Sequence, residues 1–345
     1  RKRPRRPRTL RPARRPGSLR LSNSEDHRWL AAAARLAARG VPLSRPNPAV
    51  AAILVKDGKV IARGWTRPGG RPHAEAVALA AAGEQACGAT LYVTLEPCAH
   101  VSPRGPACAD LVAASKVARV VIGCPDPDPR TAGAGAARIR AAGIAVTEID
   151  SPDCRAALIG YLTRAAEGRP HVTLKLALSE DGYLVPPQGQ WLTGEAARAH
   201  VHAMRARMDA ILVGTGTLAA DNPRLDVRLP GLEDRSPDRW LLTRNAAPAG
   251  WRALHAPADI AAMDGIQYLM VEGGAGAARA FLSAGLVDRL LLYRAPLIAG
   301  GSGPALPELT EATLAASPDW RLADTRPLGK DMLQVYEARR CSPES

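Results

Sequence analysis

Apolar positions recur at three- and four-residue spacing through HRWLAAAARLAARG, behind Ser24-Glu25-Asp26 and up to Gly40. That pattern predicts a capped amphipathic helix. Two β-rich runs follow, AVAAILVK (49–56) and KVIARGW (59–65), joined by Asp57-Gly58. An Asp-Gly pair between such runs predicts a tight hairpin. The chain then alternates. A helix is expected from about His73 through AEAVALAAA, then a strand TLYVTL (90–95) and a Pro/Cys loop. A helix from about Ala107 to Lys116, a strand ARVVIG (118–123) and a helix–strand pair over 133–149 complete the series. Strands alternating with helices at this spacing predict an α/β sandwich. Residues 154–167 read as one connecting helix, broken by Gly168-Arg169-Pro170.

A second α/β series begins at HVTLKLALS (171–179). It continues with a helix over 195–207, strands AILVG (210–214) and YLMVEG (268–273), a helix over 276–284 and a strand VDRLLLYRAP (287–296). Between 222 and 265 the chain is rich in Pro, Asp and Arg and weakly periodic. No tandem repeat is visible, so the halves are separate domains rather than copies. Length agrees, since 345 residues at about 100–200 per domain make two.

Composition excludes more than it assigns. With 46% hydrophobic residues there is apolar material for two cores, which rules out wholesale disorder. No apolar run reaches the roughly 18 residues of a membrane span, and no apolar stretch of secretory type follows the basic start, so a cytoplasmic protein is expected. The net charge of +13 is local: residues 1–20 hold ten Lys/Arg and no acid, which leaves +3 for the rest. Segment 1–22, rich in Arg and Pro, cannot bury a core and is expected to be disordered. It reads either as an arm for nucleic acid or as an incidental extension, and the second reading is preferred. Only 4% of residues are aromatic, which argues against a base-stacking nucleic-acid groove. Six Cys are too sparse for a disulfide scaffold.

The sharpest chemical signal is His73-Ala74-Glu75 followed by Glu96-Pro97-Cys98 and Cys108. One imidazole and two thiolates suit Zn²⁺ and leave a fourth tetrahedral position open, as a catalytic zinc requires. Glu75, two residues past His73 at a helix start, can sit beside the metal without ligating it. It can take a proton from the acidified water and pass it to a leaving amine. Cys98 and Cys108 adjoin expected helix starts, where the helix dipole favours a thiolate. His-x-Glu with Pro-Cys marks zinc deaminases of cytosine and adenine, but here the second Cys follows the first by ten positions rather than three. Cys87, Cys124, Cys154 and Cys341 are expected to be small buried hydrophobes.

These motifs, with Pro46-Asn47-Pro48, Gly70-Arg71-Pro72 and TLEPCAH (94–100), resemble the deaminase domain of the bifunctional riboflavin-biosynthesis deaminase–reductase family. The resemblance implies an α/β fold in two parts. One is an N-terminal cytidine-deaminase-like α/β/α sandwich (24–150), the other a C-terminal dihydrofolate-reductase-like α/β domain (171–340), joined by a linker helix (151–170). It implies removal of the 2-amino group from a diaminopyrimidinone carrying a ribosylamino 5′-phosphate, then NADPH-dependent reduction of the ribosyl group to ribityl. By motif position, Asn47, His100 and Arg104 would contact the deaminase substrate. In the second half LKLALSEDG (174–182), GTGTLAADNPRLDVR (214–228) and VEGGAGAARAFL (271–282) resemble the family's reductase elements. They imply substrate contacts at Arg205, Leu225, Arg228 and Glu272. Cofactor contacts would come from Ala177, Trp191, Thr217, Asp221, Gly274, Ala275 and Gly276. A Gly cluster between strand and helix also fits a pyrophosphate on physical grounds, and Arg205 and Arg228 could fork onto a phosphate.

The chain departs from the family in several places. Its loop VSPRGPAC (101–108) is one residue longer, Thr66 replaces a common His, Gly189 stands in an altered turn, and the stretch of about 229–267 is shortened. Two other functions stay open at this point: a deaminase with a degenerate reductase half, and a nucleic-acid deaminase using the basic tail. A phosphorylated pyrimidine is the expected partner. The pairing of two α/β domains, which often goes with self-association, makes a homo-oligomer an expectation.

Overall fold

The computed structural model describes residues 23–100, 102–184, 191–301 and 303–339. The Arg/Pro-rich segment, Gly189 and Cys341 lie outside them. The first half opens with helix α1 (Asn23–Ala37) and the hairpin β1 (Ala51–Lys56) and β2 (Lys59–Trp65). Asp57 and Gly58 take φ of 50° and 73°, the left-handed pair that a two-residue hairpin turn needs. There follow α2 (Ala74–Ala82), β3 (Thr90–Val93), α3 (Cys108–Ala114), β4 (Arg119–Ile122), α4 (Ala134–Ala141) and β5 (Ala145–Glu148). The sheet order is β2-β1-β3-β4-β5, antiparallel across β2-β1-β3 and parallel across β3-β4-β5. A core of Leu30, Leu54, Leu91, Val120, Val121 and Ile139 fills this sandwich.

The connector is two helices rather than one: α5 (Pro152–Ala157) and α6 (Ile159–Glu167) meet at Leu158, whose ψ of 6° leaves the helical range. Leu158 is buried, so the bend lets α5 lie against α1 while α6 turns toward the second sheet. Cys124 and Cys154 are buried as expected, but Cys87 is exposed. It sits in the turn between α2 and β3 beside Gly88, where no core element covers it.

The second half comprises β6 (His171–Ser179), α7 (Glu195–Arg205), β7 (Ala210–Gly214), α8 (Thr215–Asp221), β8 (Asp238–Leu242), β9 (Arg252–Leu254), β10 (Tyr268–Glu272), α9 (Ala275–Ser283), β11 (Arg289–Ala295), α10 (Glu311–Ala316), β12 (Trp320–Leu328) and β13 (Asp331–Ala338). Its sheet runs β12-β13-β11-β6-β10-β7-β8-β9, with β13 antiparallel to both its neighbours and the other pairings parallel. Along β6, Val172, Leu174, Leu176 and Leu178 alternate onto one face and enter one core cluster. Lys175 and Ala177 therefore face the other side, toward Tyr293 and Met270. The weakly periodic 229–267 stretch supplies β8 and β9 at the sheet edge. Among the described residues no helix is long and apolar enough to cross a membrane.

Candidate active sites

His73 is the residue before α2, in an extended conformation that turns it away from the helix. Cys108 opens α3, and Cys98 lies in the loop after β3. His73 Nδ1 is 3.6 Å from Cys98 Sγ and 3.4 Å from Cys108 Sγ, and the three ligand atoms lie within 4.8 Å of one another. Zinc at ordinary Zn–N and Zn–S bond lengths would hold a nitrogen and a sulfur about 3.6 Å apart in a tetrahedron, so the donor set fits that ion. The Cys108 backbone N–H donates to Cys98 Sγ at 3.3 Å, which orients the sulfur. The Cys108 thiol bonded to Cys98 holds the Cys98 thiol well below the usual range, and the same bond pushes Cys108 far up.

Glu75, in the first turn of α2, is 3% exposed. Burial pushes its carboxyl up to about 7 against the opposing pull of His73. A carboxyl that titrates near neutrality can both accept and return a proton. Asn47 Nδ2 lies 3.2 Å from His73 Nε2 and donates to the Gly70 carbonyl at 3.3 Å. Gly70 has φ of 83°, and a Cβ there would fall 2.5 Å from Asn47 Cγ, so only glycine leaves room for the asparagine. Arg104 crosses to the Gly69 carbonyl at 2.7 Å, beside the same turn. His100 is half-buried, with Nδ1 3.5 Å from Thr131 Oγ1. Thr66 accepts the Val50 N–H at 3.0 Å, a buried strand-end contact.

Two residues here had no assigned role. Glu96 is buried, and its carboxylate accepts the backbone N–H groups of Gly133 and Ala136, each at 3.0 Å, at the start of α4. It ties the Cys98 loop to that helix. Arg71 lies beside the 102–105 turn, its Nη1 3.4 Å from where a Gly105 Cβ would stand.

The second site lies at the C-terminal ends of parallel strands, where open α/β sheets bind ligands. Glu272 ends β10 and stands in register with Lys175 of β6. Arg205 forks onto Glu272, Nε to Oε2 at 2.9 Å and Nη2 to Oε1 at 2.8 Å, and Lys175 Nζ reaches Oε1 at 3.2 Å. Burial alone would raise the Glu272 carboxyl, but Lys175 and Arg205 overcome it and hold it down at about 2. Gly274 precedes α9, and its N–H donates to Thr217 Oγ1 at 2.9 Å. A Cβ on Gly274 would approach that hydroxyl to 3.4 Å, while Gly276 faces open space. This helix start is a cradle that suits a dinucleotide phosphate. Ala177, in register with Tyr293, lies on the Lys175 face.

The structure thus gathers Ala177, Arg205, Glu272, Thr217 and Gly274–Gly276, and adds Lys175. No signal near it in the sequence marked its partner. Arg205 is 9% exposed and committed to Glu272 rather than open to solvent. Leu225 has φ of 55° and a side chain buried in the core, so only its backbone is available to a ligand. Arg228 is exposed and turned toward Asp226 at 3.5 Å. Asp221 is exposed at the end of α8. Trp191 is 60% exposed, with the Arg198 guanidinium 5.5 Å from its ring centre.

Comparison with known proteins gives a consistent answer. The model of the cytidine and deoxycytidylate deaminase zinc-binding region matches residues 23–124, and that of the RibD C-terminal domain matches 170–256 and 252–334. The riboflavin biosynthesis protein RibD of Escherichia coli is 34% identical over 360 residues, covering 89% of this chain and 98% of its own. That of Mycobacterium tuberculosis is 36% identical over 313 residues, covering 85% and 92%. A solved Acinetobacter baumannii RibD is 33% identical with a TM-score of 0.81, covering 92% of this chain and 99% of its own. The Thermotoga maritima diaminohydroxyphosphoribosylaminopyrimidine deaminase/5-amino-6-(5-phosphoribosylamino)uracil reductase superposes with a TM-score of 0.81 at 28% identity, with the same coverage.

Proposed function

The chain belongs to the RibD family of riboflavin-biosynthesis proteins, and from that premise we propose which of its side chains carry the two reactions. The protein is a bifunctional riboflavin-biosynthesis enzyme, a deaminase joined to a reductase. The His73–Cys98–Cys108 cluster is the observation that carries the first assignment. These three would hold zinc, which when bound would supply acidification of the attacking water. Glu75 accepts the water's proton and delivers it to the 2-amino group, which leaves as ammonia while oxygen takes its place on the ring. Asn47, His100 and Arg104 orient the phosphorylated pyrimidine over Glu75, and Arg71 adds a positive charge at the same rim.

In the second half Gly274, Ala275 and Gly276 at the α9 start, with Thr217 supporting the turn, would hold the phosphates of NADPH. Ala177, Trp191 and Asp221 are further cofactor contacts. Lys175, Arg205 and Glu272 form the charged floor against which the ring-opened sugar accepts hydride, with Leu225 and Arg228 at its edge. The carboxylate stays ionised, so the two cations keep fixed positions toward the sugar. NADPH would supply the hydride, and the balancing proton would come from water.

The deciding experiment supplies the diamino substrate with and without NADPH and follows product mass. A gain of about 1 Da marks exchange of the amine for oxygen, and a further gain of about 2 Da marks reduction. A product of unchanged mass in both cases would refute the assignment. Cys98→Ser is expected to purify with little zinc; full metal content in that variant would remove Cys98 from the ligand set.

A further inference from the structure

The loop that carries Asn47 is pinned from the other half of the molecule. Arg45 forks onto the Asp238 carboxylate, Nη1 to Oδ2 at 3.0 Å and Nη2 to Oδ1 at 3.3 Å, and Nη1 also donates to the Asp209 carbonyl at 3.1 Å. Gln267 Nε2 donates to the Pro46 carbonyl at 2.7 Å. Earlier in the loop, Arg235 donates to the carbonyls of Val41 at 2.6 Å and Arg39 at 3.1 Å. Asp209 and Gln267 immediately precede β7 and β10, and Asp238 opens β8. All three therefore stand at the N-terminal ends of neighbouring parallel strands, which are fixed points of the second sheet.

Gln267 is itself held firmly. It is 6% exposed, and its backbone N–H and that of Tyr268 donate to the Asp209 carboxylate at 2.8 and 2.9 Å. The Pro46 carbonyl and the Asn47 nitrogen share one rigid peptide plane. A bond to that carbonyl therefore sets the direction in which Asn47 leaves the loop. Behind the Asn47 side chain Gly70 leaves no slack, and in front of it His73 Nε2 is 3.2 Å away. The loop's own bonds, Asn47 N–H to the Ser44 carbonyl and Ser44 Oγ to the Asn47 carbonyl, close a turn but do not touch Pro46. The Arg45–Asp238 pair is partly exposed and contributes little to stability. Its forked geometry instead fixes orientation.

We propose that the reductase half positions the deaminase site: Gln267 and Asp238 act through Pro46 and Arg45 to place Asn47 against His73 and the substrate. They are positioning residues, acting on the deaminase loop from the strand ends of the second sheet. The inference rests on the assignment of His73 to the metal and of Asn47 to the substrate.

The test uses the full chain. Gln267→Leu keeps the volume and removes the donor. Arg45→Asp and Asp238→Arg reverse the clasp singly, and the double variant restores it. Deaminase kcat and KM, zinc content and reduction of the supplied deaminated intermediate are measured for each. Gln267→Leu and each single reversal are expected to lose about tenfold in deaminase kcat/KM, since small misplacements near reacting atoms cost rate steeply. Zinc should stay near one per chain, the reductase rate should stay within about twofold, and the double variant should recover most of the loss. A deaminase kcat/KM unchanged in Gln267→Leu would overturn the inference. So would equal loss of both activities in Gln267→Leu and the single reversals, because that is what a merely structural junction produces. An unmodified enzyme that never deaminates the substrate would sink the site assignment first, and the inference with it.

Discussion

Two glutamates show how surroundings decide a carboxyl's task. Glu75 is buried, with burial as its dominant influence, and is pushed up to about 7, while the less enclosed Glu272 is held at about 2 by Lys175 and Arg205. The first can exchange a proton near neutrality and the second cannot. Glu75→Gln should keep zinc and the reductase rate but lose deamination by about 10²–10⁴-fold; near-normal turnover would show that another group moves the proton. Glu272 makes a stability prediction. Its folded value lies below the ordinary 4.5, so its contribution is present above about 4.5 and is lost as pH falls toward 2. Between pH 5 and pH 3 that loss is about 2 kcal/mol. Urea unfolding of Glu272→Gln should show an acid-side decline shallower by that amount. Glu75 was legible in the sequence, because its chemistry is local to His73. Lys175 was not, because nothing near it in sequence marks the carboxylate it meets.

At the scale of elements, the cap and turn chemistry did most of the prediction. Asp57-Gly58 closes the hairpin where expected, and α2 starts at the residue after His73. Helix α8 and the β12–β13 hairpin were missed for the same kind of reason, the lack of a buried face to pattern. α8 is a short helix with no buried residue, so it has no apolar stripe. β12 is exposed along nearly its whole length and shows no alternation for a pattern to find. Glu96 is the element-level feature with the clearest consequence. Its carboxylate caps α4 from a loop 37 positions away. Glu96→Ala should destabilise the first half by about 3 kcal/mol, since it leaves buried N–H groups without a charged acceptor. Denaturant unfolding measures this, and an unchanged midpoint would mean the cap is dispensable. Thr217→Val removes the acceptor of the Gly274 N–H and should raise KM for NADPH about two- to tenfold with little change in kcat. A KM that stays put would place the cofactor's phosphates elsewhere.

For the whole molecule, the second sheet serves two masters at its two ends. Its N-terminal strand ends grip the Asn47 loop, while Glu272 ends β10 at the other side, with Lys175 of β6 in register beside it and Gly274 just beyond. Five-residue strands separate those ends by about 16 Å, and the packed core fills the space between. Release of the deaminated intermediate to solvent before its reduction is the expected route between the two sites. Unlabelled intermediate added during turnover of labelled diamino substrate should dilute the label in the reduced product in proportion to its concentration. Undiluted label would mean direct transfer.

What local chemistry encodes is legible along the chain: the two α/β series, the hairpin, the helix starts, and a His, a Glu and two Cys whose types and order point to zinc deamination. Packing between distant segments supplied the rest. It bent the connector at Leu158, paired Lys175 with Glu272 across 97 positions, and brought Gln267 to Pro46 across 221. Period and spacing record which face of one element is buried. They carry no information about which distant strand end that face will meet, because such contacts are selected by packing of whole sheets rather than by neighbours along the chain.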